Sequence, residues 1–145
     1  MESEIEKCLL RNTRAAARVM TRRFAEHMRE FNVSTEQFSL LASLVGTDHN
    51  SVSALAEFLA IERTTLTRNL ALLEKKQLVK LVPARKGNAR TVELTPAGRQ
   101  LMVDMTPAWR QAQSMAFKQV SKDEVDQALD VLRRITAELT RSEKF

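Results

Sequence analysis

The chain has 145 residues, of which 43% are hydrophobic and 28% are charged, and this composition suits one domain with a real core. It has no apolar run long enough to span a bilayer, and its acidic first residues lack the apolar segment of a signal peptide. A single cysteine excludes an intrachain disulfide. We therefore expect one domain, residues 1–145, in the cytoplasm and with no membrane partner.

The net charge of +5 is concentrated in one part of the chain. The segment from Glu62 to Thr95 contains eight basic and three acidic residues, whereas basic and acidic residues are equal in number in the rest of the sequence. A localised basic segment is typical of a protein that binds a polyanion. A solvated basic face is the alternative, and charge alone does not separate the two.

Two helices are predicted before the basic segment. The first covers residues 4–31, because apolar residues recur on one stripe at helical spacing. The stripe consists of Ile5, Leu9, Ala16, Met20, Phe24, His27 and Phe31. The second begins at Ser34, since Ser34 and Gln37 have the spacing of a capping box, and it stops at Gly46.

Two further helices form the centre of the chain. A short helix over residues 51–60 begins at a capping serine and is followed by a break at Ile61 and Glu62. The next helix, from Arg63, buries Leu66, Leu70 and Leu73. Its outward face then carries hydroxyl and basic groups.

A hairpin and two more helices complete the chain. Two alternating segments, residues 78–84 and 90–95, flank a Gly-Asn turn, which favours a tight hairpin with a cationic tip. Val79, Leu81, Val92 and Leu94 are expected to face the core. The fifth helix covers residues 96–120 with a kink near Pro107, and Ser121 begins the last helix.

This order of elements describes a winged helix-turn-helix. The predicted fold is mainly α with a small β-hairpin wing: a DNA-binding lobe over residues 34–95, and a helical dimerisation region formed by residues 1–31 and 96–145. A major groove admits one helix, and a hairpin reaches the neighbouring minor groove. The predicted contacts to double-stranded DNA are Arg63, Thr64, Thr65, Thr67, Arg68, Lys75, Arg85, Lys86, Asn88 and Arg90.

The helices at the two ends also predict a homodimer. Three apolar-striped helices leave more hydrophobic surface than one small winged domain can cover, and pairing in a two-fold bundle would hide it. A winged-helix module that binds proteins and has no operator is the competing class of function. Loss of Arg85, Lys86 and Arg90 would leave such protein binding intact.

The central residues resemble those of the MarR family of transcriptional regulators. Thr67-Arg68 in the recognition helix, Leu94-Thr95 followed by Gly98 after the wing, and Gln37-Phe38 with Leu40-Leu41 match the family pattern. Gln77 stands where the family usually has a glycine, Glu62 precedes the recognition helix, and Lys86 and Asn88 replace the usual aspartate and arginine of the wing. The resemblance implies an obligate homodimer that binds a near-palindromic operator, as a repressor released by a ligand.

The resemblance also implies a small-molecule effector, often an aromatic carboxylate or a phenol, in a crevice beside the DNA-binding lobe. An arginine would hold the anion, and methionine and aromatic side chains would supply an apolar wall. The alternative is that these residues are ordinary core and surface. The predicted lining is Arg14, Arg18, Met20, Phe24, Phe38, Met102, Met105 and Trp109.

Cys8 is the rival trigger, because some relatives sense peroxides through a cysteine in the first helix and Arg11 lies one turn later. A small residue packed at the dimer interface is the other interpretation of Cys8. The sequence has no tyrosine, although such sensors commonly set tyrosine hydroxyls against the thiolate.

Metal and catalytic motifs are missing from the sequence. His27 and His49 lie far apart, and no HExxH, CxxC or Ser-His-Asp pattern occurs. His27 falls on the apolar stripe of the first helix, where a packed histidine is expected. We predict no enzyme activity, no cofactor and no metal site.

Overall fold

The computed structural model describes residues 2–46, 51–83 and 89–142. These residues form a mainly helical chain with one two-stranded antiparallel sheet. In chain order the elements are α1 (Glu2–Glu6), α2 (Leu9–Met28), a 3₁₀ turn (Arg29–Phe31), α3 (Thr35–Ser43), α4 (Val52–Leu59), α5 (Arg63–Lys75), β1 (Val79–Pro83), β2 (Arg90–Leu94), α6 (Pro96–Ala116) and α7 (Lys122–Ser142). The predicted fold class is confirmed.

The prediction of one unbroken first helix over residues 4–31 is wrong. The helix is interrupted before Cys8, whose backbone is extended with ψ at 115°. The Asn12 side chain explains the break, since its amide donates to the backbone oxygens of Glu6 at 2.8 Å and Cys8 at 2.9 Å. The α-helical part then ends at Met28, the one buried residue of α2 and a core position that the sequence analysis missed.

The start of α3 follows the sequence closely. The Gln37 backbone N–H donates to the Ser34 hydroxyl at 3.1 Å, and the Ser34 N–H donates to the Gln37 side-chain oxygen at 3.2 Å. These two bonds form the predicted capping box. The helix ends at Ser43, slightly before Gly46, where φ is +74°.

The core of the molecule lies between α3 and the hairpin. Leu66, Leu70 and Leu73 of α5 are fully buried, as predicted. They pack with side chains of α3, α4 and both strands in one cluster. The complete cluster is Leu40, Leu41, Leu55, Leu66, Leu70, Leu73, Val79, Val92 and Leu94.

The hairpin joins this core through one face. Val79 pairs with Leu94, and Leu81 pairs with Val92. Three of these four side chains are buried, and Leu81 is half-buried, so the predicted core face is confirmed. The predicted Gly87-Asn88 tip lies outside the described residues.

The two C-terminal helices begin as expected. Pro96 occupies the first turn of α6, which the Thr95 hydroxyl caps by accepting from the Gly98 N–H at 3.0 Å. The helix ends at Ala116, before the predicted residue 120, and continues through Pro107, which cannot donate to the carbonyl of Val103. Within the described ranges, no helix is both long enough and apolar enough to cross a membrane.

Candidate nucleic-acid interface and an adjoining cavity

Helix α5 presents a polar face away from the core. Arg63, Thr64, Thr65, Thr67 and Arg68 are all exposed, and so is Lys75 in the last turn. The buried side of the same helix is fixed by the three leucines described above, so the outward direction of this face follows from the packing. We call α5 the recognition helix.

Hydrogen bonds distinguish the hydroxyl groups of the recognition helix. The Thr67 hydroxyl donates to the Arg63 carbonyl at 2.8 Å, so towards a ligand it can only accept. Asn69 donates to the Thr65 carbonyl at 3.2 Å. Across residues 2–46, 51–83 and 89–142, no side-chain hydrogen bond engages the hydroxyls of Thr64 and Thr65 or the guanidinium of Arg68.

The turn before the recognition helix brings α4 against it. The Ile61 N–H donates to the Ala56 carbonyl at 3.0 Å and the Ala60 N–H to the Glu57 carbonyl at 3.2 Å, with Ala60 left-handed at φ +50°. This is a Schellman end without its usual glycine. Glu62 occupies the N-cap of the recognition helix, and its side chain makes no capping bond.

The recognition helix ends in the same way. The Gln77 N–H donates to the Glu74 carbonyl at 2.8 Å, and the Leu78 N–H donates to the Leu73 carbonyl at 3.0 Å. Gln77 therefore holds the left-handed position, at φ +59°, where glycine is usual. A glutamine at this position therefore carries backbone strain.

Two side chains connect this helix end to other elements. The Thr95 hydroxyl donates to the Gln77 carbonyl at 2.7 Å, and the Thr95 N–H donates to the Leu78 carbonyl at 3.1 Å. A side chain on Gly98 would overlap the same carbonyl of Leu78, so only glycine fits there. Lys76 donates to the Asn32 carbonyl, which joins the helix end to the turn before α3. We call these contacts the helix-end joint.

The wing is described only in part. Lys80 and Glu93 face each other across the two strands and form an exposed ion pair at 2.9 Å. Arg90 is exposed at the start of β2. The other predicted wing contacts, Arg85, Lys86 and Asn88, lie outside the described residues, as does His49.

An apolar cavity of about 610 Å³ opens between α3, the end of β2 and α6. Its lining includes three of the residues predicted for an effector site, Phe38, Met102 and Trp109. Arg99 is the one charged residue among the described residues of the lining, and Thr106 adds a hydroxyl that donates to the Met102 carbonyl at 2.8 Å. The cavity therefore combines a guanidinium with an aromatic and methionine wall.

The other five predicted effector residues lie elsewhere. Met105 is completely buried, and Met20 is exposed on α2. Arg14, Arg18 and Phe24 are also absent from the lining of this cavity. Arg99 was missed, although it precedes Met102, Thr106 and Trp109 at helical spacing, and that periodicity in α6 was the available signal.

Cys8 occupies the N-cap position of α2 and is half-buried. Its carbonyl accepts from the Asn12 side chain, so the residue has a structural place at the α1–α2 break. Among the described residues, no group of three or more His, Cys, Asp or Glu side chains is placed to hold a metal ion.

The structure is similar to solved structures of transcriptional regulators. No protein-family model matches the sequence, and no curated protein sequence matches it. The Mycobacterium tuberculosis transcriptional regulator MosR, solved in complex with DNA, is 29% identical, with 94% of this chain and 96% of that chain aligned at a TM-score of 0.75.

Two further structures share the fold at lower sequence identity. AbsC, a MarR family transcriptional regulator of Streptomyces coelicolor, has a TM-score of 0.80 at 17% identity, over 94% of this chain and 95% of that chain. BpsR of Bordetella bronchiseptica, whose DNA binding is regulated by 6-hydroxynicotinic acid, has a TM-score of 0.79 at 21% identity, over 89% and 93% of the two chains.

Proposed function

We propose that this chain is a winged helix-turn-helix transcriptional regulator of the MarR type and that it binds a near-palindromic operator in double-stranded DNA as a homodimer. The carrying observation is the outward face of the recognition helix, where Thr64, Thr65 and Arg68 are exposed and unengaged within the described ranges. MosR, the relative at 29% identity, has been solved in complex with DNA, which supports the same partner here. This role places the protein in the cytoplasm and requires no catalysis.

The division of labour along the chain supports the homodimer. The core cluster lies entirely between Leu40 and Leu94, inside the proposed DNA-binding lobe of residues 34–95. Helix α7 buries no residue, although Leu129, Leu132 and Leu139 recur along one side of it. A second copy of the segments 1–31 and 96–145 would cover this seam.

In the proposed complex, the recognition helix enters the major groove and the wing reaches the adjacent minor groove or its phosphates. Arg68 is the best placed base reader, since a guanidinium can bind the edge of guanine through two hydrogen bonds. Two-fold symmetry sets the two recognition helices about one helical turn of DNA apart, roughly 34 Å. Lys75, Arg85, Lys86 and Asn88 add contacts at the helix end and wing.

The test begins with operator fragments selected from a random duplex pool by the purified protein. Arg68→Ala should weaken binding to the selected duplex by about 1 to 3 kcal/mol and relax the preference at one position of each half-site. Arg110→Ala, which removes the same charge from an exposed position on α6, is the matched control. Equal losses of affinity for both variants would contradict a role of Arg68 in sequence discrimination.

The cavity beside α6 supports a second part of the proposal, release of a repressor by a small anionic aromatic ligand. Arg99 offers a carboxylate partner, and Phe38, Met102 and Trp109 offer an apolar wall. The cavity lining also includes Leu94, directly before Thr95, and Arg99, directly after Gly98, so a bound ligand would lie next to the Thr95 and Gly98 side of the helix-end joint. Ligand binding could therefore shift the end of the recognition helix through these contacts.

Calorimetry against a panel of aromatic carboxylates and phenols tests the effector, with operator binding measured in parallel. Arg99→Gln should weaken carboxylates selectively and leave neutral phenols nearly unchanged, since it removes only the charge partner. Arg14→Gln and Arg18→Gln serve as controls, because neither residue lines the cavity. Absence of heat and of any change in operator binding across the panel would count against the effector site.

A further inference from the structure

A second cavity, of about 380 Å³, opens where the start of α4, the recognition helix and the loop end of the hairpin ladder meet. Its lining includes Val52 and Ser53 from α4, Arg63 and Thr67 from the recognition helix, and Arg90 from β2. Three separate elements thus converge on one recess. A bridge between Ser51 and Thr91 connects the start of α4 to the hairpin beside this recess.

Both arginines of this recess lack a carboxylate partner among the described residues. Arg63 is the first residue of the recognition helix, and Arg90 is the first residue of β2. Two guanidinium groups that line one cavity repel each other when it holds only water, and an anion between them removes that repulsion. Arginine is also the side chain that best matches the oxygens of a phosphate.

The beginning of α4 adds donors of its own. The Ser51 hydroxyl accepts from the Ala54 N–H at 3.1 Å, and the Ser51 carbonyl accepts from the Leu55 N–H at 2.9 Å. The N–H groups of Val52 and Ser53 precede these bonds, so the helix itself gives them no acceptor. Both residues line the recess, and the positive end of the helix dipole lies there as well.

From this convergence we propose that Val52, Ser53, Arg63 and Arg90, which we call the arginine notch, together hold one phosphate group. The inference rests on the proposed DNA binding only for the source of that phosphate, which is the backbone of the bound duplex. It assigns Arg63 to the phosphate instead of a base edge, because the notch is recessed beside α4. Sequence discrimination then falls to Thr64, Thr65 and Arg68.

The salt dependence of binding to a duplex of arbitrary sequence tests the sharing of one phosphate. Each neutralised phosphate contributes about 0.9 to the slope of log affinity against log salt. If Arg63 and Arg90 share one phosphate, the double variant R63Q/R90Q lowers the slope by about 0.9 per bound protomer, and each single variant lowers it by less. Arg110→Gln is the charge-matched control and leaves the slope unchanged.

Inorganic phosphate provides the second arm of the experiment, without DNA. Titration of the wild-type protein should shift the backbone amide resonances of Val52 and Ser53, and the double variant should lose that response. This arm reports on the notch even if the wild-type protein binds no duplex, an outcome that would reject the proposed function alone. If the double variant keeps the wild-type salt slope, and phosphate shifts the Val52 and Ser53 resonances only in the wild type, the notch binds free phosphate and not the DNA backbone.

Two results would contradict the proposal that the arginine notch holds one phosphate. A loss of about 1.8 in the slope of the double variant, with about 0.9 in each single variant, would show two separate phosphate contacts. An unchanged slope together with unshifted Val52 and Ser53 resonances would show that the recess holds no phosphate from either source. Circular dichroism of each variant verifies that these exposed substitutions leave the fold intact.

Discussion

The proposed DNA-binding lobe and helix α7 differ in where their apolar side chains lie. Residues 34–95 contain the whole core cluster, including leucines with no exposed surface. Helix α7 is as long as α6 and strongly amphipathic, yet every described residue along it is exposed or half-buried. The lobe buries its apolar stripe within one chain, whereas the apolar stripe of α7 stays exposed and is available for the proposed dimer.

This difference shows that an amphipathic helix can use its apolar stripe either to fold its own chain or to associate with another chain. A stripe that meets its partner within the chain becomes core, as in the recognition helix with Leu66, Leu70 and Leu73. A stripe of equal regularity without such a partner, as with Leu129 and Leu132, stays exposed in the single chain. Substitutions in the two stripes should therefore affect different properties.

The largest expected effect comes from the seam of α7. Leu132→Glu places a charge in the proposed dimer interface, so the protein should sediment as single chains of 16.5 kDa and lose most operator affinity. Gln127→Glu introduces the same charge on the opposite side of α7 and should leave the dimer intact. A Leu132→Glu protein that keeps the wild-type sedimentation behaviour would show that this seam does not join the subunits.

A core substitution in the lobe should reduce stability without changing assembly. Leu70→Ala removes a fully buried side chain from the cluster, and we expect a loss of about 2 to 5 kcal/mol in the free energy of unfolding. Denaturant unfolding followed by circular dichroism measures this loss, and sedimentation should still give the wild-type mass. If the Leu70→Ala protein sedimented as single chains while remaining folded, the core of the lobe and the assembly of the dimer would not be independent.

The end of the recognition helix should respond to the opposite kind of change. Gln77 holds a left-handed conformation that costs a residue with a side chain about 1 kcal/mol. Gln77→Gly should therefore raise the free energy of unfolding by about that amount. Gly98→Ala provides the contrast, because its new methyl group would overlap the Leu78 carbonyl and lower stability. A lower free energy of unfolding in Gln77→Gly would show that Gln77 is not strained in the wild-type protein.

The smallest expected effect concerns pH and the start of α7. Hydrogen bonds from the Ser121 backbone N–H and hydroxyl lower the pKa of Glu124 below its ordinary value of 4.5. A lowered folded-state pKa adds stability above the unfolded value, and this stability is lost as the pH falls through the folded pKa. Amide exchange at the first turn of α7 should speed up in that range in the wild type, and far less in Glu124→Gln. Equal pH dependence in both proteins would contradict this capping.

The sequence predicted most of the fold because the relevant signals are local. Ser34 with Gln37, Ser51 and Pro96 each mark the start of a helix as predicted, whereas the Thr95 cap was not predicted. The break near Cys8 was missed, because it depends on the Asn12 side chain reaching back past one turn. Propensity and periodicity carry no information on such a bond.

The candidate sites were less predictable, since they depend on distant elements meeting. The exposure of Arg68 follows from the leucine spacing of its own helix, and the structure agrees. The pairing of Arg63 with Arg90 in one recess requires the hairpin to fold back on α4, which helical spacing cannot reveal. The spacing within α6 could have indicated Arg99, but the absence of Arg14 and Arg18 from the apolar cavity depends on how α2 packs against the other elements.

Selection of duplex fragments from a random pool tests the central claim, that one helix and one hairpin act twice in a symmetric pair. The wild-type dimer should enrich an inverted repeat whose half-sites are centred about 10 base pairs apart, and Leu132→Glu should lose that enrichment. Enrichment of no common sequence, or of an isolated half-site by a protein that sediments as single chains, would contradict the account.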